Sequence, residues 1–293
     1  MAQKDLIIGV FSNYKYDDVK PWVKSSKDCG FKGDVVLIGI NIDDETVEAI
    51  EKDGVIVVRA RKHSPQMIHM ERFLHIYDFL KHNEGKYKHV ISTDVRDVVF
   101  QKNPSDWLDR VFDFEGIVSS GEAILIKNEA WNRNNIVKNF GEQFYMDVMN
   151  YPVQCVGILA GTLEMMKDLC FYLYQMSLNR PDWVADQAAY NMIVHTGPWK
   201  NLTYFAELSD AWAINGHVTN YEKDMAKFEP YLLEGRPYVK GDKIVNESGE
   251  EFYIVHQYDR VREWKSIYEK KYGVKINSQY TPDNDLIVIN TGV

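Results

Sequence analysis

The first hundred residues alternate short apolar runs with amphipathic stretches. This alternation is typical of βαβ units, in which helices join parallel strands and cover the sheet. One helix is predicted to begin at Ser64–Pro65, because Ser is a frequent N-cap and Pro is favoured at the first helical position. The pattern predicts strands at 6–12, 35–40, 55–58 and 89–93, and helices at 17–29, 43–52 and 64–83.

Beyond residue 103 the pattern loosens into shorter pieces, with no internal repeat and no linker. A chain of 293 residues, 45% of them hydrophobic, is long enough to bury one large mixed core. We therefore predict one continuous domain, 1–293. The shorter pieces predict strands at 116–119, 123–126, 156–159 and 252–257, and helices near 139–149, 162–177, 182–195 and 260–272.

The formal net charge is −9, which argues against a general nucleic-acid binder, since affinity for a phosphate backbone comes from clustered Lys and Arg. An anionic ligand would need a local positive charge to offset the repulsion. Cys29, Cys155 and Cys170 lie far apart and form no CxxC, which indicates reduced core thiols. The first residues lead into a strand without a long apolar stretch, so we expect a cytoplasmic protein with no transmembrane segment.

Two carboxylates follow the fourth predicted strand, at Asp94 and Asp97. Ligands of an open α/β sheet bind beyond the carboxyl ends of its strands, and hard carboxylate oxygens suit Mg²⁺ or Mn²⁺. A solvated turn, or pairing of Asp97 with Arg96, is the alternative. The apolar runs 90–92 and 98–100 on either side favour a metal, because carboxylates placed between them need a compensating partner. A divalent cation would also supply the charge offset.

The run 89–101 resembles the metal-binding strand end of GT-A glycosyltransferases, whose usual signature is DxD. Here the second acid comes one residue later, and this DxxD spacing is similar to that of the glycosyltransferase domain of collagen lysyl hydroxylases. That resemblance implies that Asp94 and Asp97 are both ligands of Mn²⁺ or Mg²⁺. The ordinary DxD alignment would instead place Arg96 at the diphosphate.

A histidine near the C-terminus resembles the third metal ligand that many GT-A enzymes bring from a late strand. His256 occupies such a position, and the resemblance to glycogenin-like enzymes implies that a later cation, Arg260 or Lys265, contacts the diphosphate. A structural histidine and an arginine exposed at a helix start are the alternatives.

Two further segments resemble sugar-side elements of the same family. Gly157 and Gly161, in the run 156–162, imply a close approach of the backbone to the donor sugar, although glycines at a strand-to-helix turn are the commoner case. Asp186 and Gln187 resemble the family's DQ helix start, where an acid faces the sugar and the acceptor. Free N–H groups at a helix N-terminus stabilise such a carboxylate, and a plain helix-start acid is the alternative.

The nucleotide side of the site is assigned to the end of the first strand. Ser12 and Asn13 are expected to hold the nucleotide. Arg72 lies off the apolar stripe of its helix, so it either reaches the ligand or faces solvent, and Arg59 is a comparable candidate. The motifs of zinc proteases, dinucleotide oxidoreductases and P-loop NTPases are absent from the sequence.

Together these resemblances imply an α/β, GT-A (Rossmann-like) fold with a mixed, mainly parallel central sheet flanked by helices. Residues 1–103 would form the nucleotide-binding half and 104–293 the acceptor and sugar half. The implied activity is a metal-dependent glycosyl transfer (EC 2.4 class) from a nucleotide-diphosphate sugar, with UDP favoured over GDP through the family, to a glycan or other hydroxyl acceptor.

Several alternatives stay open at this stage. Asp186 would act as general base if the reaction inverts, whereas Asp186 or Gln187 would lie on the opposite face of the sugar if it retains. A metal-dependent phosphoesterase and a non-catalytic sugar-binding protein are the alternative functions. The expected partners are a nucleotide sugar and a carbohydrate acceptor, with no nucleic acid, and the oligomeric state is left open.

Overall fold

The computed structural model describes residues 3–63, 67–182, 184–220 and 224–276. The predicted helix start at Ser64–Pro65 and Trp183 of the predicted DQ segment lie outside these residues. The elements of the first half are β1 (Lys4–Ser12), α1 (Tyr16–Asp28), β2 (Asp34–Ile40), α2 (Asp44–Lys52), β3 (Ile56–Ala60), α3 (Ile68–Lys81) and β4 (Tyr87–Thr93).

The second half contains shorter strands between longer helices. Its elements are β5 (Val98–Phe100), α4 (Pro104–Val111), β6 (Ile117–Leu125), α5 (Ala130–Phe140), α6 (Glu142–Val148), β7 (Pro152–Thr162), α7 (Leu163–Ser177), α8 (Asp186–His195), β8 (Thr203–Ala206), β9 (Ala213–Asn215), α9 (Met225–Phe228), β10 (Tyr238–Lys240), β11 (Lys243–Val245), β12 (Ile254–His256) and α10 (Arg262–Tyr272).

The central sheet has seven strands in the order β3-β2-β1-β4-β7-β6-β8. β1, β2, β3 and β4 are parallel, β7 runs antiparallel to both β4 and β6, and β8 is parallel to β6. The strands of the first half are apolar over almost their whole length because helices cover both faces. The mixed, mainly parallel α/β sheet predicted from the sequence is confirmed.

A second, three-stranded sheet completes the edge of the molecule where β4 ends. β12 pairs antiparallel with β5 and parallel with β9. In this register His256 lies opposite both Val98, the residue after Asp97, and Asn215. Pairing of three-residue strands therefore brings a C-terminal histidine beside the acidic turn.

The structure differs from the sequence prediction in several places, and α4 and β5 were not predicted. β6 is one strand, not two, and its register with β7 shifts between Ser119 and Ser120 and again after Gly121, which hides the continuity in the sequence. α5 was not predicted because its asparagine-rich segment has little apolar periodicity. None of the helices in the described part of the chain has the length and hydropathy needed to span a membrane.

Candidate active site

The acidic turn lies between β4 and β5, at the carboxyl edge of the central sheet. Its start is anchored from both sides: Trp22 Nε1 donates to Thr93 Oγ1 at 2.8 Å, and the Asp94 amide donates to the Gly157 carbonyl at 2.8 Å. Asp94 is partly exposed, whereas Asp97 is buried. The turn thus presents one carboxylate near the surface and one in the interior.

His256 joins these two carboxylates from the end of β12. Its Nε2 lies 3.3 Å from Asp94 Oδ2 and 3.8 Å from Asp97 Oδ1. One ligand atom from each of the three residues falls within 4.8 Å of the other two, a spacing that can hold a metal ion. The three residues predicted as metal ligands are therefore together.

The imidazole of His256 is oriented by a hydrogen bond on its far side. An amide oxygen can only accept, so Nδ1 donates to Asn215 Oδ1 at 2.8 Å, and Nε2 is the nitrogen that faces the two carboxylates. Within the described ranges Nε2 has no hydrogen-bond partner, although His256 is 1% exposed. Nε2 is therefore the nitrogen available to a cation, and such an outer hydrogen bond is usual for metal-bound histidines.

The surroundings of Asp97 favour its ionised form. Burial opposes its ionisation, but the neighbouring His256 and Arg96 lower its pKa below the ordinary value. One oxygen faces His256, while the other lies 3.8 Å from an Arg96 guanidinium nitrogen. An ionised carboxylate beside an imidazole nitrogen is suited to bind a cation.

Arg96 turns away from the space in front of the three ligands. Its guanidinium pairs with Asp259 Oδ2 at 2.9 Å, and its carbonyl accepts from Tyr258 at 3.2 Å. The Asp259 side chain is completely buried. Arg96 thus ties Asp97 to the segment that follows His256, and this position favours the DxxD alignment over the DxD alternative.

Arg72 connects the acidic turn to the helix start at Asp186. Its guanidinium forms an ion pair with Asp94 and contacts Asp186 Oδ2 at 3.1 Å. Asp186 is 3% exposed, and in the part of the chain that the structure describes its Oδ1 lacks a hydrogen-bond partner. Arg72 therefore holds one oxygen of Asp186 and leaves the other for another group.

Gln187 faces inward from the first turn of α8. Its Oε1 accepts from the Val156 amide at 2.9 Å, and its Nε2 donates to Glu122 Oε1 at 3.2 Å. The side chain that was predicted to face the sugar is thus engaged by β7 and β6. It holds the start of α8 against the strand that carries Gly157.

The two predicted glycines occupy different places along β7. Gly157 lies against the imidazole of His256, whereas Gly161 pairs with Val90, several residues back from the end of β4. A Cβ on Gly161 would lie 2.5 Å from the Gly116 carbonyl oxygen. Gly157 joins the site, and Gly161 serves a close strand contact away from it.

Gly157→Ala is expected to displace His256. The added Cβ would collide with the imidazole Cε1 and lie 2.9 Å from Nε2. We expect Mn²⁺ affinity to fall by about 10–100-fold, the range found when the surroundings of a ligand are disturbed. Titration of Mn²⁺ followed by calorimetry measures this. Gly33→Ala is the control, because its Cβ would collide with the Asp5 carbonyl oxygen at the start of β1, at the opposite edge of the sheet from the acidic turn. Equal affinity in both variants would contradict the prediction.

The remaining predicted residues lie around the same edge. Ser12 ends β1, and Asn13 follows with φ 60°, a left-handed conformation that Asn tolerates; its Nδ2 donates to Ser12 Oγ at 2.9 Å. Arg260 lies near Asp97. When the side-chain amide of Gln257 is oriented so that both its oxygen and its nitrogen have hydrogen-bond partners, Arg260 donates to Gln257 Oε1 at 3.1 and 3.2 Å.

Sequence reasoning missed four buried polar residues of this region. Asn215 and Asp259 support His256 and Arg96, and Glu122 and His217 form a pair with 3.2 Å between Oε2 and Nε2. A polar residue inside an apolar run, such as Asn215 at the end of β9, was the available signal. Arg59, in contrast, pairs with the exposed Asp44 away from the acidic turn.

In fold, the chain is similar to a crystal structure of mouse xyloside xylosyltransferase 1 in its apo form, with a TM-score of 0.51 and 12% sequence identity. The match covers 86% of this chain and 97% of that chain. No protein-family model and no curated protein sequence matches this chain. The architecture is thus one that a glycosyltransferase also adopts, and the likeness at this identity concerns the fold alone.

Proposed function

We propose that this protein is a metal-dependent glycosyltransferase that moves a sugar from a nucleoside-diphosphate sugar to a hydroxyl group of a glycan or other acceptor. The observation that carries the proposal is the unpartnered Nε2 of His256, directed at Asp94 and Asp97 at the carboxyl edge of the sheet. The fold shared with a xylosyltransferase supports the same class.

Asp94, Asp97 and His256 would hold the cation. Carboxylates suit Mn²⁺ and Mg²⁺ alike, and the imidazole, a softer ligand, favours Mn²⁺. A cation bound there neutralises charge on the donor diphosphate, which a chain of net charge −9 would otherwise repel. Arg260 adds positive charge on the same side, near Asp97.

The other proposed site residues would bind different parts of the substrates, the nucleotide on one side and the sugar and acceptor on the other. Ser12 and Asn13 would hold the nucleotide at the end of β1. Arg72 would hold Asp186 through Oδ2, and the unpartnered Asp186 Oδ1 would accept a hydrogen bond from a sugar or acceptor hydroxyl. Asp186 is the base of an inverting reaction, or lies with Gln187 on the far face of the sugar in a retaining one. The anomeric configuration of the product, read by NMR, decides between them.

The proposal is tested first by thermal denaturation with nucleoside diphosphates. UDP or GDP at a hundred times its Kd raises the free energy of unfolding by about 2.7 kcal/mol. For a chain of 293 residues that is a rise in Tm of about 4–5 °C. We expect the rise with Mn²⁺ and its loss when EDTA is added. A non-catalytic sugar-binding protein would respond to neither nucleotide nor metal.

Turnover distinguishes the remaining alternative. A transferase releases a nucleoside diphosphate from a nucleotide sugar, whereas a phosphoesterase releases a monophosphate or inorganic phosphate. Among the described residues one group, Asp94, Asp97 and His256, has the spacing of a metal site, while many phosphoesterases hold two metals. Release of inorganic phosphate with no nucleoside diphosphate would overturn the transferase proposal.

A further inference from the structure

A second group of buried polar side chains lies next to the proposed site and has no assigned role. We call Glu122, on β6, and His217, after β9, the Glu122 pair. They are 7% and 8% exposed, and Glu122 Oε2 lies 3.2 Å from His217 Nε2. On its other side, Glu122 Oε1 accepts from Gln187 Nε2 at 3.2 Å.

The Glu122 pair is short of hydrogen-bond donors. Over the described ranges neither Glu122 Oε2 nor His217 Nδ1 has a hydrogen-bond partner. His217 Nε2 is close to Oε2 without the alignment of a hydrogen bond. A buried polar atom without a partner is unfavourable, so both atoms call for a group that carries an O–H or N–H. Burial also raises the pKa of Glu122, which is the effect expected of a carboxyl group short of donors.

A buried glutamate seven positions further along shows what a purely structural role looks like. The carboxylate of Glu129, 3% exposed, accepts from the amides of Trp131 at 3.0 Å and Asn132 at 2.7 Å, and from Asn132 Nδ2 at 2.8 Å. Glu129 caps α5, and both of its oxygens are satisfied. Glu122 caps no helix, and one of its oxygens is left without a donor.

Two short chains of hydrogen bonds lead from the Glu122 pair towards His256, one of the three proposed metal ligands. Through Gln187, Glu122 connects to the amide of Val156, next to Gly157 and the imidazole of His256. Through Asn215, which donates to the Gly121 carbonyl at 3.4 Å and accepts from His256, the main chain beside Glu122 connects to the same ring. The pair therefore belongs to the wall of the proposed active site.

The surroundings of Glu122 indicate what kind of group fits there. A narrow cleft with room for about one water molecule opens on Glu122, and its walls include Asn215, Thr219, Asn220 and Arg236. That space suits one hydroxyl group, not a sugar ring. All of these residues belong to the half of the chain beyond residue 103, away from β1 and the nucleotide side.

We propose that Glu122 and His217 bind a hydroxyl group of a neutral sugar, which serves as the acceptor. This inference rests on the proposed transferase function and adds the class of acceptor to it. The carboxylate accepts the hydroxyl proton, and His217 Nδ1 accepts from a neighbouring hydroxyl or a water. Negatively charged acceptors are disfavoured because such a group would meet the acidic side chain of Glu122.

The test uses simple glycosides as probes on the full chain. Binding of methyl β-D-glucoside, galactoside and xyloside is followed by saturation-transfer NMR with UDP and diamagnetic Mg²⁺ present, and methyl β-D-glucuronide is the anionic comparison. We expect at least one neutral glycoside to bind and the glucuronide to bind more weakly. Glu122→Gln should raise the Kd of that glycoside at least about tenfold, since it replaces a charged acceptor. The exposed Glu247 lines a different groove, and Glu247→Gln is the matched control.

His217→Asn repeats the test from the other partner, in case Glu122→Gln does not fold. Absence of binding by all neutral glycosides would overturn the inference, as would a Kd in Glu122→Gln and His217→Asn equal to that of Glu247→Gln. The Tm rise with UDP and Mn²⁺ is measured on the same protein preparations. In the unmodified protein, absence of glycoside binding with that rise intact refutes the acceptor site alone, whereas absence of the rise refutes the transferase proposal.

Discussion

Asp97→Asn is expected to abolish Mn²⁺-dependent nucleotide binding. The amide is nearly the same size as the carboxylate, so the fold is retained, but the buried ionised ligand is lost and His256 Nε2 faces a neutral group. We expect Mn²⁺ affinity to fall at least about 100-fold and turnover to fall by a similar factor or more. Calorimetric titration of Mn²⁺, followed by UDP, measures the loss.

The control for Asp97→Asn is Asp109→Asn. Asp109 is an exposed acid on α4, away from the acidic turn, and it pairs with Lys88 of β4. Its removal should leave both the Mn²⁺ titration and the Tm rise with UDP as they are in the unmodified protein. If Asp97→Asn behaved in the same way, Asp97 would not be a metal ligand, and the DxxD assignment would have to be abandoned.

Arg96→Met should damage both stability and the metal site. It leaves the fully buried Asp259 side chain without its cation and removes the guanidinium from one oxygen of Asp97. Breaking a buried ion pair costs about 3–5 kcal/mol, and for a chain of 293 residues a loss of 3 kcal/mol lowers the Tm by about 5 °C. Mn²⁺ affinity should fall by about 10–100-fold, because Asp97 is no longer held in place.

Arg59→Met is the matched control for Arg96→Met. Arg59 also pairs with an aspartate, but Asp44 is 87% exposed in its side chain, and such a pair contributes less than about 1 kcal/mol. Arg96→Lys tests the geometry, since Lys keeps the charge but cannot serve two carboxylates in a fixed plane; it should recover only part of the loss. Unchanged Mn²⁺ affinity in Arg96→Met would show that Arg96 does not position Asp97.

Asp97→Asn and Arg96→Met test two different roles in the same proposed site. Asp97→Asn removes a proposed ligand, and Arg96→Met removes the residue that orients it. On the proposed DxxD assignment, Arg96 between the two acids would support the second acid, because its guanidinium lies beside Asp97 and pairs with Asp259.

The regular part of the fold could be predicted from the sequence. Strands such as β2 and β4 are continuous apolar runs, since helices cover both of their faces, and α1 and α3 have buried stripes at helical spacing. The small sheet of β5, β9 and β12 could not be predicted as a sheet. Three-residue strands are too short to show periodicity, and their pairing depends on segments far apart in the chain.

The sequence by itself determined which side chains were candidate metal ligands: Asp94 and Asp97 follow a buried strand, and His256 ends a strand near the C-terminus. Only the tertiary structure decided what surrounds them. The contacts of His256 with Asn215 and of Arg96 with Asp259 join residues 41 and 163 positions apart. The unpartnered oxygen of Glu122 exists only once β6, α8 and the segment after β9 are packed together. The residue types and their positions at strand ends can be read from the sequence, whereas burial and hydrogen-bond partners depend on how distant segments pack together.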